Sequence, residues 1–225
     1  MLVYRSLGTS IHALKLGPLG TNCYMVATPA VSFILDPVDD AEGIAAYCRR
    51  NGLAPSFAML THAHFDHVAA AAGLIEAGLA ETLWYHGADE AELGRCRTYS
   101  MLIAKRPITL PPPERTRHFD AGFEARLAEA GFAIRHLPSH TRGSCIVHSL
   151  DRRLVFTGDI ILNNRVPGVR TAVGENRDGM RAAAAAIAAE FAPRSIIFPG
   201  HGKLSLLETE MAYNASIRRL LHGAQ

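Results

Sequence analysis

Thr61-His62-Ala63-His64-Phe65-Asp66-His67 places four side chains able to bind a transition metal within six residues. Imidazole and carboxylate together suit zinc, iron or manganese at a hydrolytic or oxygen-handling centre. The spacing matters as much as the content. His62 and His64 are two apart, so in extended chain they point the same way. Asp66 and His67 are adjacent and diverge. The pattern therefore predicts one ion on His62 and His64 and a second on Asp66 and His67.

Such a loop leaves both coordination spheres incomplete, and three later segments offer completion. Leu137-Pro138-Ser139-His140 puts a His in a turn after the apolar run Phe132-Ala133-Ile134. Val155-Phe156-Thr157-Gly158-Asp159 is an apolar strand ending in a glycine and a carboxylate. Ile196-Ile197-Phe198-Pro199-Gly200-His201 repeats that form with a His. Each candidate ligand follows the C-terminal end of a hydrophobic strand, where rigid scaffolds hold catalytic groups.

With these blocks in this order, the chain resembles the metallo-β-lactamase-fold hydrolases, and within them the glyoxalase II-type branch. Gly20-Thr21-Asn22-Cys23-Tyr24 and Phe33-Ile34-Leu35-Asp36-Pro37 add to the likeness. The resemblance implies a single domain over residues 1–225, an α/β four-layer αββα sandwich of metallo-β-lactamase type. It implies one metal on His62, His64 and His140, another on Asp66, His67 and His201, and Asp159 bridging them. It also implies that Asp36 supports the metal loop from behind. Two divalent ions are implied, zinc first, with iron or manganese as alternatives.

Composition bounds the function. The 225 residues are 48% hydrophobic and 20% charged, ordinary for a globular chain. A net charge of +2 without clustered Lys and Arg argues against a nucleic-acid footprint. No apolar run approaches a bilayer span and no secretion signal is visible. Cys23, Cys48, Cys96 and Cys145 form no Cys-x-x-Cys and read as reduced, buried thiols. The expected setting is cytoplasmic, the partner a small-molecule substrate with neither nucleic acid nor membrane, and a homodimer is compatible with the sequence.

Along the chain, residues 11–16, 23–27 and 31–35 read as strands and 41–50 as a helix stopped by Asn51-Gly52. Residues 57–60 form a strand delivering the metal loop, and 67–77 a helix whose N-terminal dipole would face the site. Residues 83–85 read as a strand and 88–93 as a short helix. Pro107 and Pro111-Pro112-Pro113 make 95–117 an irregular connection. Strands at 132–137, 144–149, 154–156 and 195–198 and helices at 177–191 and 204–221 complete the reading.

Two ions sharing a hydroxide suit attack on an ester, thioester or amide carbonyl, with Asp66 as ligand and orienting catalytic group. The chain departs from the glyoxalase II pattern in three places. Arg142 stands at a turn position usually held by Pro. Asn163 to Arg170 replaces a common Gly-Arg-x-Asp run. The C-terminal helical extension that carries much of the glutathione site is missing. Arg170 and Lys203 read as solvent-facing charges, with an acidic-substrate anchor as the alternative. His86, His118, His136 and His148 read as surface or hydrogen-bonded histidines. Competing functions are a lactonase or other esterase on the same site, and a mononuclear iron persulfide dioxygenase using His62, His140 and Asp159.

Overall fold

A computed structural model describes residues 1–164 and 176–222. Seven strands form the first sheet, in the order β1 (Leu2–Ser6), β2 (Thr9–Leu16), β3 (Thr21–Ala27), β4 (Ser32–Leu35), β5 (Phe57–Met59), β6 (Leu83–Tyr85) and β7 (Thr116–His118). Five form the second: β8 (Phe132–His136), β9 (Cys145–Ser149), β10 (Leu154–Gly158), β11 (Ile196–Pro199) and β12 (Ser205–Leu206), stacked from β12 at one edge through to β8 at the other. From β4 to β7 all pairings are parallel, as is β10 with β11.

Alternation along these strands decides the layers. Tyr24, Phe33, Leu35, Phe57 and Met59 of the first sheet share one buried cluster with Phe132, Val147, Phe156 and Phe198 of the second. Their neighbours Met25, Ile34 and Ala58 point the other way, onto helices α1 (Ala41–Arg50), α3 (Ala71–Glu76) and α4 (Glu90–Tyr99). Ile146, Val155 and Ile197 likewise meet α6 (Arg177–Glu190), α7 (Leu207–Tyr213) and α8 (Ala215–His222). A period of two with both faces apolar is what a strand covered on both sides needs. The result is the αββα sandwich. A further helix, α5 (Ala121–Glu129), inserts Phe123 and Leu127 into the cluster between the sheets. No helix among the described residues is long and apolar enough to cross a membrane.

Local chemistry sets the helix ends. Asp40 accepts a hydrogen bond from the Gly43 amide to start α1, and Arg49 and Arg50 occupy its last turn. The helix expected over 67–77 divides into α2 (Phe65–Val68) and α3. The Ala70 amide donates to the Pro37 carbonyl and so leaves the helical pattern between the two. A four-residue α2 adds little dipole, so no long helix directs its N-terminal field into the site from this segment. The closing helix also divides. Asn214 sits between α7 and α8, donating to the Leu162 carbonyl and accepting from the Ser216 and Ile217 amides. The 95–117 connection is more regular than its prolines suggest. Helix α4 runs to Tyr99, a π-helical turn spans Ser100–Ala104, and β7 follows a 3-10 turn. Most of the Asn163–Arg170 run, with Arg170 itself, lies outside the described residues.

Four aromatic rings carry much of the inter-sheet packing. Phe156 is fully buried and its ring meets those of Tyr24, Phe132 and Phe198 at 5.2, 6.3 and 4.6 Å. Phe156→Ala should lower the unfolding free energy by about 3–5 kcal/mol, read from urea denaturation.

Candidate metal centre

Strand direction gathers the candidate ligands. Asp36 follows β4, the Thr61–His67 loop follows β5, Asp159 follows β10 and His201 follows β11. Strand β8 runs in the same direction as β10, because each is antiparallel to β9, and this brings His140 to the same end. Backbone bonds then join the two sheets at that edge. The Asn22 amide donates to the Gly200 carbonyl at 2.7 Å and the Cys145 amide to the Thr61 carbonyl at 2.8 Å. Tyr24 Oη donates to the Pro199 carbonyl at 2.7 Å.

All seven sequence-predicted ligands meet there. His62 Nε2 and His140 Nε2 lie 3.2 and 3.1 Å from His64 Nδ1. Metal–nitrogen bonds of about 2.0–2.1 Å in a tetrahedron separate ligand atoms by about 3.3–3.4 Å, so this trio suits one ion. Asp66 Oδ2 lies 3.3 Å from His201 Nε2 and 3.8 Å from His67 Nε2, a second cluster of the same scale. Asp159 faces both. Its Oδ2 is 3.8 Å from His140 Nε2 and 3.4 Å from His201 Nε2, and its Oδ1 is 3.7 Å from His67 Nε2. His67 Nε2 and Asp159 Oδ1 are buried and make no hydrogen bond among the described residues. Buried polar atoms without partners are costly, and converging imidazole and carboxylate atoms of this kind fit divalent ions.

Neighbouring groups fix His67 and Asp66. Asp36 accepts from the Thr61 amide and hydroxyl at 2.7 and 2.8 Å, and its Oδ2 lies 3.0 Å from His67 Nδ1. It thereby turns His67 Nε2 toward the centre. Thr21 Oγ1 donates to Asp66 Oδ2 at 2.8 Å. Gly200 has to be glycine, because a Cβ there would lie 2.2 Å from Asp159 Oδ1 and 2.9 Å from the His67 ring.

Asp89 is the contributor that sequence reasoning missed. It is buried and accepts from the Ala63 amide, the Thr141 hydroxyl and the Gly143 amide, so it clamps the His62–His64 loop to the His140 loop. A Cβ at Gly143 would meet its Cγ at 2.5 Å. In sequence Asp89 looks like an ordinary helix-start residue beside Glu90, and nothing local separates a cap from a clamp. The other histidines behave as expected. His118 bonds Glu90 and Tyr85, His136 bonds the Arg142 carbonyl, and His148 bonds the Ser149 carbonyl. His86 stacks on His136 at 3.6 Å. Lys203 is exposed and all four cysteines are buried and free.

The two clusters differ electrostatically. Burial lowers the pKa of His62 and His64 and brings His140 to about 3, so this trio is neutral at pH 7. For His67, burial is outweighed by Asp36, Asp66 and Asp159, and the pKa rises to about 9. For His201, burial is outweighed by Asp159 and Asp66, and it rises to about 10. Asp66 is lowered and Asp159 falls to about 2, burial being outweighed by the facing imidazoles.

A sequence model of the Metallo-beta-lactamase superfamily matches residues 16–201. An uncharacterized protein of Mycobacterium tuberculosis is 29% identical over 93% of this chain and 98% of its own length. The acyl-coenzyme A thioesterase MBLAC2 of Gallus gallus is 30% identical over 54% of this chain and 47% of its own length. The crystal structure of TTHA1623 in a di-iron-bound form superposes with a TM-score of 0.81 at 29% identity, covering 91% of this chain and 98% of that one.

In chelator-stripped protein the raised values of His67 and His201 stabilise the fold below their ordinary 6.5, and that stabilisation is lost as pH rises through about 9 and 10. A metal entering the Asp66–His67–His201 cluster at pH 7 must displace both protons, so its affinity should fall with falling pH while the neutral trio responds little. Calorimetric titration in buffers of different ionisation enthalpy should read about two protons released for that ion. Asp36→Asn should weaken the same ion by roughly 10–100-fold, measured by competition with a chromogenic chelator.

Proposed function

This chain belongs to the metallo-β-lactamase superfamily, and we propose that it is a metal-dependent hydrolase cleaving a small thioester or ester, in the manner of hydroxyacylglutathione hydrolases. The observation that carries this reading is Asp159, a buried carboxylate with one oxygen facing His67 and the other facing His140 and His201. A carboxylate between two ligand clusters suits a pair of ions, held by His62, His64 and His140 and by Asp66, His67 and His201. Zinc is the proposed ion, with iron the alternative that the di-iron relative supports. The likeness to an acyl-coenzyme A thioesterase supports a thioester substrate.

When bound, the ions supply Lewis acidity, which lowers the pKa of a water and polarises a carbonyl oxygen. The chain's own residues do the rest. Asp66, fixed by Thr21 and ionised at neutral pH, orients the attacking water. Asp36 and Asp89 hold the two ligand loops in register, so no reorganisation is needed as charge develops. Six of the seven ligands are buried, with His64 half-buried, and exclusion of bulk water strengthens every charge interaction among them.

The test is turnover of purified protein of known metal content on S-lactoylglutathione, an acyl-coenzyme A, a simple lactone and a cephalosporin. Two ions per chain and thioester cleavage are expected, and Asp66→Ala should lower kcat/KM by at least about 100-fold, the scale of one well-placed electrostatic group. Full activity of Asp66→Ala would overturn the mechanism. One iron per chain with oxygen consumption on a persulfide would replace it with the dioxygenase reading.

A further inference from the structure

Beside the metal centre lies a cavity of about 400 Å³ to which no role has yet been given. Thr21, Phe65 and the candidate ligand Asp66 line part of it, so it borders the metal centre. It extends along the N-terminal end of α1, the length of α3, the hairpin turn at Gly17–Leu19 and the segment that follows the π-helical turn. The size is that of a small-ligand site.

Deep in the cavity the side chains outside the metal centre are mostly apolar, and the hydroxyls of buried Thr21 and Ser100 are already engaged, donating to Asp66 Oδ2 and to the Arg106 carbonyl. Val38, Phe65, Ala70 and Ala72 are buried, and Ala104 and Ile108 are half-buried on the facing wall. Side chains of this kind present no hydrogen-bonding groups, so they favour aliphatic surface. The space exists because the residues of α3 and its approach are small, Ala69, Ala70, Ala72 and Gly73. The charged groups sit at the rim. Among the described lining residues outside the metal centre, Asp39, Asp40, Glu42 and Glu76 face one cation, Arg106. Arg106 is already engaged, donating to Asp39 Oδ2 at 2.7 Å. Among the described residues the rim is therefore net negative and holds no free cation to receive a carboxylate or phosphate.

We infer that this cavity binds an aliphatic chain bearing no negative charge, and that in the thioester or ester substrate this is the acyl chain. The acyl role rests on the hydrolase reading, whereas the binding does not. The geometry orients the substrate. With the acyl chain beside Asp66 and the carbonyl at the ions, a leaving group with phosphates or carboxylates is directed away from the acidic rim.

Binding and turnover test the two parts separately. Isothermal titration of the metal-loaded protein with n-octylammonium and with octanesulfonate should show the cation binding at least about tenfold more tightly. Ala104→Trp and Ile108→Trp narrow the cavity from different points of one wall. Each should weaken octylammonium by at least about tenfold, provided that metal content and melting temperature match the parent. Glu42→Lys with Glu76→Lys should reverse the preference toward the sulfonate. On thioesters of N-acetylcysteamine, the octanoyl-to-acetyl ratio of kcat/KM should exceed about ten and fall about tenfold in Ala104→Trp. Absent octylammonium binding, or binding that both tryptophan variants leave intact, overturns the inference even if thioesters are cleaved. Binding as described without any thioester or ester turnover keeps the cavity assignment and overturns the hydrolase reading instead.

Discussion

Seven imidazoles and carboxylates are packed at one edge of this sandwich, six of them buried, and such groups are tolerated only where their charge and hydrogen-bonding capacity are answered. Much of the local structure is a response to that constraint. Asp36, itself buried, is held by two bonds from Thr61 and lies against the inner nitrogen of His67. Its backbone is in the left-handed region at φ 54°, a conformation that Asp tolerates better than most residues. Remove the carboxylate and His67 keeps its burial but loses the partner that orients it.

The same constraint explains how two sheets become one site. Ligands from different strands stay aligned only if the sheets cannot slide. The bonds from Asn22 and Tyr24 to the β11 end, and from Cys145 to Thr61, fix their relative position where the ligands emerge. Asp89 adds a link between loops, three bonds from a single buried carboxylate. Below them, the Tyr24, Phe156 and Phe198 rings fill the space between the sheets, so the edge rests on close-packed aromatic surface. The site is rigid because core packing and polar clamps act on the same strand ends.

A comparable clamp secures the chain beyond Asp159. Glu210 is fully buried and accepts from the Asn163 side chain, the Asn164 amide and the Asn214 side chain. One carboxylate thus ties the segment after Asp159 to the junction of α7 and α8. That junction breaks the closing helix, so the interruption and the anchoring of the active-site side are one feature.

Local sequence carried the ligands, since metal chemistry restricts the residue types and the chain supplies them at strand ends with recognisable spacing. His62, His64, Asp66, His67, His140, Asp159 and His201 were legible as candidate ligands for that reason, and the layered class followed from the family likeness that the same blocks carry. Four elements were not legible. Strands β1, β7 and β12 are short or half-exposed and lack a decisive pattern, and α5 has only a modest apolar face. Helix breaks after Val68 and at Asn214 depend on bonds to Pro37 and Leu162, which are distant in sequence. The clamp at Asp89 and the acid-rimmed cavity depend on segments that only tertiary packing brings together. The sequence alone determined which groups could hold the ions. Tertiary structure decided which carboxylates orient those groups and what shape of substrate can approach them, because orientation and shape are set by contacts between strands far apart along the chain.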